Sequence, residues 1–170
     1  MCIEKIIKER YSVRGFSDKK VSKKIINEII DVVRFSPTAL NNQPYNIYVV
    51  QSEEGLQKIK KAFAPDYNAN TILVVCSDKN KSWANRYSGQ NNVLQDIGVV
   101  SATILYTSKA KGIDSCYVCN FDPNILHSQL NLADNIYPEC LIYLGYPDAD
   151  SKPSERHYQR RNIKEIVNYL

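Results

Sequence analysis

Glycine is scarce in this chain: six residues in 170, at positions 15, 55, 89, 98, 112 and 145. Their spacing forms neither GxGxxG nor a P-loop, the backbone cradles that hold a dinucleotide pyrophosphate or a nucleoside triphosphate. No GxSxG elbow and no HExxH helix occurs, and no carboxylate pair has a spacing that assigns it to acid–base chemistry. Hydrolase and kinase chemistry are therefore disfavoured. Histidine is nearly absent too, with only His127 and His157. A zinc site built on Cys116-Tyr-Val-Cys119 would need two more ligands, and no recognisable spacing supplies them. No metal is expected. No apolar run approaches the roughly 20 residues of a membrane span. Glu4 and Lys5 stand where a signal peptide would need its apolar stretch. A cytoplasmic protein with no membrane partner is the expectation.

What is present describes an ordinary globular chain, 44% hydrophobic and 24% charged. One domain over residues 1–170 is long enough to bury a core without disulfides. The net charge is +4 and the pI near 8.7, with loose basic clusters at 19–24 and 156–161. A nucleic-acid surface is usually a denser stripe, so no nucleic-acid partner is expected. The five cysteines are an odd set and propose no disulfide framework.

Hydrophobic periodicity predicts a short helix over 3–9, an extended stretch over 10–20, and a helix from an N-cap at Ser22 to about Phe35. A polar loop over 38–44 leads to a strand over 47–50, then a helix over 53–63 and a buried strand over 71–76. Residues 78–90 read as an irregular loop. The longest helix, about 91–111, is apolar nearly all round and belongs at the centre of something. Gly112 caps it, 115–121 looks extended, Asp122 starts a short helix, 141–145 is a strand, and the tail is charged and then amphipathic. Strands and helices do not alternate regularly, which favours α+β over a doubly wound sheet.

Four constellations carry possible chemistry. In Arg10-Tyr-Ser-Val-Arg14, an extended backbone puts residues 10, 12 and 14 on one face. Two guanidiniums flanking a hydroxyl suit a phosphate, although a solvated edge strand would look the same. Pro37-Thr-Ala-Leu-Asn-Asn-Gln-Pro44 is a loop pinned by two prolines whose amides could read the polar edge of a heterocycle, or merely connect helix to strand. Cys116 and Cys119 follow a helix C-terminus in an apolar context, unlike redox pairs at a helix N-terminus, and read as structural. Arg160-Arg161, with His157 one turn earlier, is either a solvated tail or the completion of a phosphate site begun by Arg10. With so few candidate catalytic side chains, a borrowed cofactor is the economical source of any activity.

Taken together and in order, these segments resemble the FMN-dependent nitroreductase family. RYSVRGFSDKKVS is similar to the family's opening Arg-x-Ser-x-Arg, and SPTALNNQPYNIYVV to its Pro-Ser-x-x-Asn-x-Gln-Pro-Trp loop and strand. LQDIGVVSATILYTSKAKGIDSCYVCNFDP resembles its central helix and flavin-facing segment, and LIYLGYP and RHYQRRNIKEIV its closing strand and basic tail. The match is collinear over nearly the whole chain.

The resemblance implies a mostly antiparallel central sheet flanked by helices and an interlocked homodimer with FMN at the interface. Arg10 and Ser12, with Arg160 or Arg161, would hold the FMN phosphate, Tyr11 would be a further cofactor-binding residue, and Arg14 would sit beside the pyrimidine edge. Pro37, Thr38, Ala39, Asn41 and Gln43 would reach the same flavin from the other subunit. Backbone groups of Val118, Cys119 and Asn120 would face flavin N5 and O4. The implied activity is ping-pong hydride transfer from NADH or NADPH through N5 to a small acceptor, such as a nitroaromatic or quinone. A cation at Arg14 would favour the reduced flavin, whose charge gathers near N1 and C2=O. FMN storage or sensing without efficient turnover is the alternative. Three positions depart from the pattern: Ala39 replaces a common hydroxyl residue, Tyr45 the usual Trp, and Asn120 a frequent Gly.

Overall fold

The computed structural model describes residues 2–170. Its centre is one antiparallel sheet of four strands in the order β1-β2-β4-β3, with β1 Tyr45–Val50, β2 Thr71–Asp78, β3 Asp114–Val118 and β4 Ile136–Gly145. Five helices surround it: α1 Ile3–Glu9, α2 Lys23–Val33, α3 Glu53–Ala62, α4 Val93–Ala110 and α5 Pro123–Gln129. The α+β expectation holds.

β2 is buried along its whole length, which places it inside the sheet. Its alternation then serves two cores. Ile72, Val74 and Cys76 pack with Leu141 and Tyr143 of β4 against α3, α5 and the segment holding Val13 and Phe16. Leu73 and Val75 pack with Cys140, Ile142 and Leu144 against Ile26, Ile29 and Val33 of α2 and Ile97, Val100 and Ile104 of α4. Each fully buried Leu, Ile or Val of this kind is worth about 1.5–3 kcal/mol relative to an exposed one.

Caps mark the helix ends where the sequence placed them. The Ser22 side chain accepts from the Ile25 amide, and the Asp122 side chain accepts from the amides of Asn124 and Ile125. Gly112, at φ 74°, closes α4 in the left-handed conformation that glycine adopts without strain.

Several boundaries differ from expectation: β1 starts two residues earlier, at Tyr45, and β2 runs two residues further, to Asp78. α2 ends at Val33 and turns through Arg34 and Phe35. β3 ends at Val118, so Cys119 to Phe121 are outside the strand. β4 begins at Ile136, five residues before the predicted start. Pro138 hid this strand: it lacks an N–H, and the β2–β4 register shifts beside it, between Val75 and Cys76, leaving Glu139 as the extra residue. The Glu139 carboxylate accepts from the Ser77 hydroxyl at 2.6 Å. The tail beyond Ser154 forms only two short 3-10 turns, and Ile163, Ile166, Tyr169 and Leu170 are exposed. Its apolar spacing has no surface of its own chain to pack on. α4 likewise keeps an outward face, with Leu94 and Val99 exposed, so it is less enclosed than its composition suggested.

Candidate functional site

The segment after α1 runs beside β3 without becoming a full strand. Ser12 and Ser115 form an isolated parallel bridge, and the Val13 amide donates to the Ser115 carbonyl at 3.0 Å. Val13 is thereby turned into the core, which leaves Arg10 and Ser12 half-buried and Arg14 exposed along one groove. The opposite wall comes from the tail: Ser154, Arg156, His157 and Arg160. This groove measures about 280 Å³ and continues past Ser12 and Arg14 into a second hollow of about 340 Å³ lined by Gly15, Asp148 and Lys152.

Specific contacts hold the two walls together. The Tyr11 hydroxyl donates to the Ser151 carbonyl at 3.3 Å, and the Ser151 hydroxyl donates to the Gly15 carbonyl at 2.7 Å. The Asp148 amide donates to the same carbonyl at 3.1 Å, and a Cβ on Gly15 would run into the Asp148 carboxylate. The rings of Tyr11 and His157 meet edge to face at 6.1 Å.

The electrostatics of the groove are one-sided. Four guanidiniums, from Arg10, Arg14, Arg156 and Arg160, line it beside His157, and its lining includes no carboxylate. Among the described residues none of the four forms an ion pair. Arg10 Nη1 is buried without a hydrogen-bond partner. A buried, unpaired guanidinium nitrogen is costly to leave unmade, so the geometry calls for an acceptor, and forked donors suit a phosphate. Arg161 does not line this groove; it turns to Glu165, donating to that residue's carbonyl at 2.8 Å.

The second set lies at the opposite edge of the sheet, just before β1. Thr38 and Ala39 are half-buried, whereas Pro37, Asn41 and Gln43 are exposed. Leu40, Asn41 and Gln43 all take positive φ, at 52°, 55° and 48°. Each such non-glycine conformation costs on the order of 1–2 kcal/mol and persists only when its surroundings impose it. Here the Gln43 amide donates to Thr38 Oγ1 at 3.1 Å, Gln43 Nε2 to Asn41 Oδ1 at 3.3 Å, and the Ala39 amide to Asp96 Oδ1 at 2.9 Å. The chain by itself does not bring this loop to the arginine groove: β1 and β3 are the two outer strands.

Known proteins share this chain's sequence and fold. A nitroreductase family protein of Clostridium difficile 630 superposes with a TM-score of 0.91 at 34% identity, over 99% of this chain and 98% of that one. A protein of Archaeoglobus fulgidus, provisionally named an NADH dehydrogenase/NAD(P)H nitroreductase, is 30% identical over 150 residues, 84% of each chain. This chain belongs to the nitroreductase family. The family model itself, described as Nitroreductase family, matches residues 7–71, which include both the arginine segment and the strained loop. The nitroreductase fold extends further: a protein of Exiguobacterium sibiricum, provisionally named a nitroreductase and solved in complex with FMN, has a TM-score of 0.86 at 18% identity over 100% of this chain and 98% of that one.

The third set of this nitroreductase-family chain, Val118 to Asn120, ends β3. Val118 is buried, Cys119 and Asn120 are exposed. Cys116 lies in the core beneath the groove; burial pushes its thiol up, with Arg14, Ser12 and Arg10 acting the other way. Cys116 and Cys119 therefore occupy different environments and are both free thiols. Burial, with Cys119 and Cys140 nearby, also pushes the Tyr117 hydroxyl up. Sequence reasoning missed Arg156, Ser154, Lys152 and Asp96. The basic cluster at 156–161 was the one signal for the first of these, and nothing local marked the others.

Proposed function

We propose that this nitroreductase-family chain is an FMN-dependent, cytoplasmic oxidoreductase that acts as a homodimer. The observation that carries the reading is Arg10 Nη1, buried and unpartnered in a groove of four guanidiniums without a carboxylate. The residues present fit the FMN phosphate. Arg10, Ser12 and Arg160 would bind it, Tyr11 would position the tail that carries Arg160, and Arg156 and His157 would add to the positive field. Arg161, turned to Glu165, would stay outside this phosphate site.

Arg14 would face the pyrimidine edge and stabilise negative charge gathered there. Backbone groups of Val118, Cys119 and Asn120 would border N5 and O4. Pro37 would shape the loop from which Thr38, Ala39, Asn41 and Gln43 reach the flavin of a second copy of the chain. The chemistry that bound FMN supplies there is hydride transfer at N5, from NADH or NADPH to a small acceptor such as a nitroaromatic or a quinone, in two successive half-reactions. The exposed apolar side chains of Leu40, Leu94 and Val99 support a partner surface, since all three lie on the loop or on α4.

A visible spectrum of the FMN-supplemented, desalted protein tests this, recorded anaerobically before and after NADH and then NADPH. Flavin bands that bleach are the expected result, and the faster nucleotide is the donor. Bands that persist would replace turnover with FMN storage or sensing. Their absence would remove the flavin altogether. Light scattering at low micromolar concentration is expected to give the mass of a dimer.

A further inference from the structure

The loop from Pro37 to Pro44 contains three left-handed non-glycine residues within four positions, and most of its hydrogen bonds are internal. Such a conformation does not hold itself; something outside must impose it. Two ties reach the loop from the rest of the fold. At its end, the Asp78 amide donates to the Pro44 carbonyl at 2.9 Å. At its start, the Ala39 amide donates to Asp96 Oδ1 at 2.9 Å. The first is backbone to backbone and independent of side-chain identity. The second is the one side-chain tie from outside the loop among the described residues, and it spans 57 positions.

Asp96 is an expensive way to make that tie. It is 7% exposed, and its Oδ2 is buried without a partner. Its place in the first turn of α4 offsets part of this cost, because the helix N-terminus favours negative charge. No lysine or arginine neutralises it among the described ion pairs. The acceptor is thus carried by α4, the longest helix, whose Ile97, Val100 and Ile104 are locked into the core. Rigid helix, buried acceptor and strained loop form one chain of support.

We propose that Asp96 is the positioning residue of the flavin-contacting loop: it fixes the Ala39 amide so that Leu40, Asn41 and Gln43 keep the shape that meets FMN. The role of the loop rests on the functional reading above, but the role of Asp96 in shaping it does not. Asp96 would act through the Ala39 amide, the one hydrogen-bond partner of its side chain among the described residues.

The test compares wild type, Asp96→Ala and Asp96→Asn in two measurements. Amide hydrogen exchange on the protein without FMN reads the loop directly. Asp96→Ala is expected to expose the Ala39 amide and speed its exchange by about tenfold or more, the loss of one hydrogen bond to a charged acceptor. Asp96→Asn keeps a carbonyl oxygen facing Ala39 and is expected to restore most of the protection. FMN titration then reads the consequence: weaker binding by about tenfold in Asp96→Ala, recovered in Asp96→Asn, with the core amides of β2 protected alike in all three. Unchanged Ala39 exchange in Asp96→Ala would overturn the proposal. So would an Asp96→Asn protein as loose as Asp96→Ala, since the negative charge rather than the bond would then matter. Loss of β2 protection in Asp96→Ala would make Asp96 a core residue and overturn it as well. Wild-type protein that protects Ala39 yet fails to bind FMN would sink the flavin reading and leave the Asp96 tie standing.

Discussion

The Val13 amide donates to the Ser115 carbonyl at 3.0 Å, and this bond, within the Ser12–Ser115 bridge, lays the N-terminal segment against the outer strand β3. Val13 goes inward, so Arg10 and Ser12 must line the groove, and the tail closes over them through Tyr11 and Ser151. The backbone that carries Arg10 and Ser12 is thereby fixed by the fold itself. Preorganisation of this kind is set up at a cost to the free protein, which gives the first prediction its two sides.

Arg10→Ala is expected to weaken FMN binding by about 10- to 100-fold, the loss of a charge-assisted pair worth roughly 1.5–3 kcal/mol. The same substitution removes a buried nitrogen that has no partner in the free chain. Thermal stability without FMN should therefore be unchanged or higher. Unchanged affinity in a fluorescence titration would take Arg10 out of the phosphate site.

Leu40→Gly addresses the strained loop. Leu40 is 79% exposed at φ 52°, so its side chain contributes little packing while its backbone pays for the left-handed conformation. The substitution should be neutral to stabilising, by up to about 1 kcal/mol in urea denaturation, despite the added freedom of glycine in the unfolded chain. A clear destabilisation would mean that Leu40 already packs against something, and a second subunit is the surface to check.

The buried thiols predict how stability responds to alkali. Burial pushes the Cys76 thiol from an ordinary value of 9.0 up to about 12, and that of Cys140 up to about 11. In both cases the folded chain holds the proton more tightly than the unfolded chain. The contribution to stability is then fully present below pH 9.0 and is lost as pH rises toward 11 and 12. Urea midpoints should be level with respect to these groups below pH 9.0 and fall above it. In Cys76→Ala the midpoint should start lower, from the cavity, but fall less steeply. An equal alkaline slope in the variant would show that other groups control it.

Thiol reactivity gives an independent check at neutral pH. Cys2 and Cys119 are exposed, while Cys76, Cys116 and Cys140 are buried. An aromatic disulfide reagent should find two fast thiols in the native chain and three more on unfolding. A fast Cys116 would contradict its place beneath the groove.

Much of the fold was legible in local sequence because local forces decide it. Ser22 and Asp122 cap helices wherever their backbone allows, and the unbroken run from Thr71 to Cys76 reads as an interior strand because only two-sided burial suits it. The Arg10, Ser12, Arg14 face followed from the period of two in extended backbone. Where a local signal opposed the tertiary one, the reading failed. The strand read over 141–145 in fact begins at Ile136, because pairing with β2 continues through Pro138, which has no N–H to give the ladder, by a shift of register. The tail reads as charged and then amphipathic, yet no surface of this chain receives its apolar side chains.

The candidate site divides in the same way. Residue types able to grip a phosphate, the clusters at 10–14 and 156–161, are written in the sequence because charge and hydrogen-bonding capacity belong to the side chain itself. That Arg156 and His157 face Arg10 across a groove, and that Asp96 holds Ala39 from 57 residues off, were decided by tertiary structure alone. Those relationships join segments far apart in the chain, and no local preference encodes a proximity that only the packed sheet and helices create.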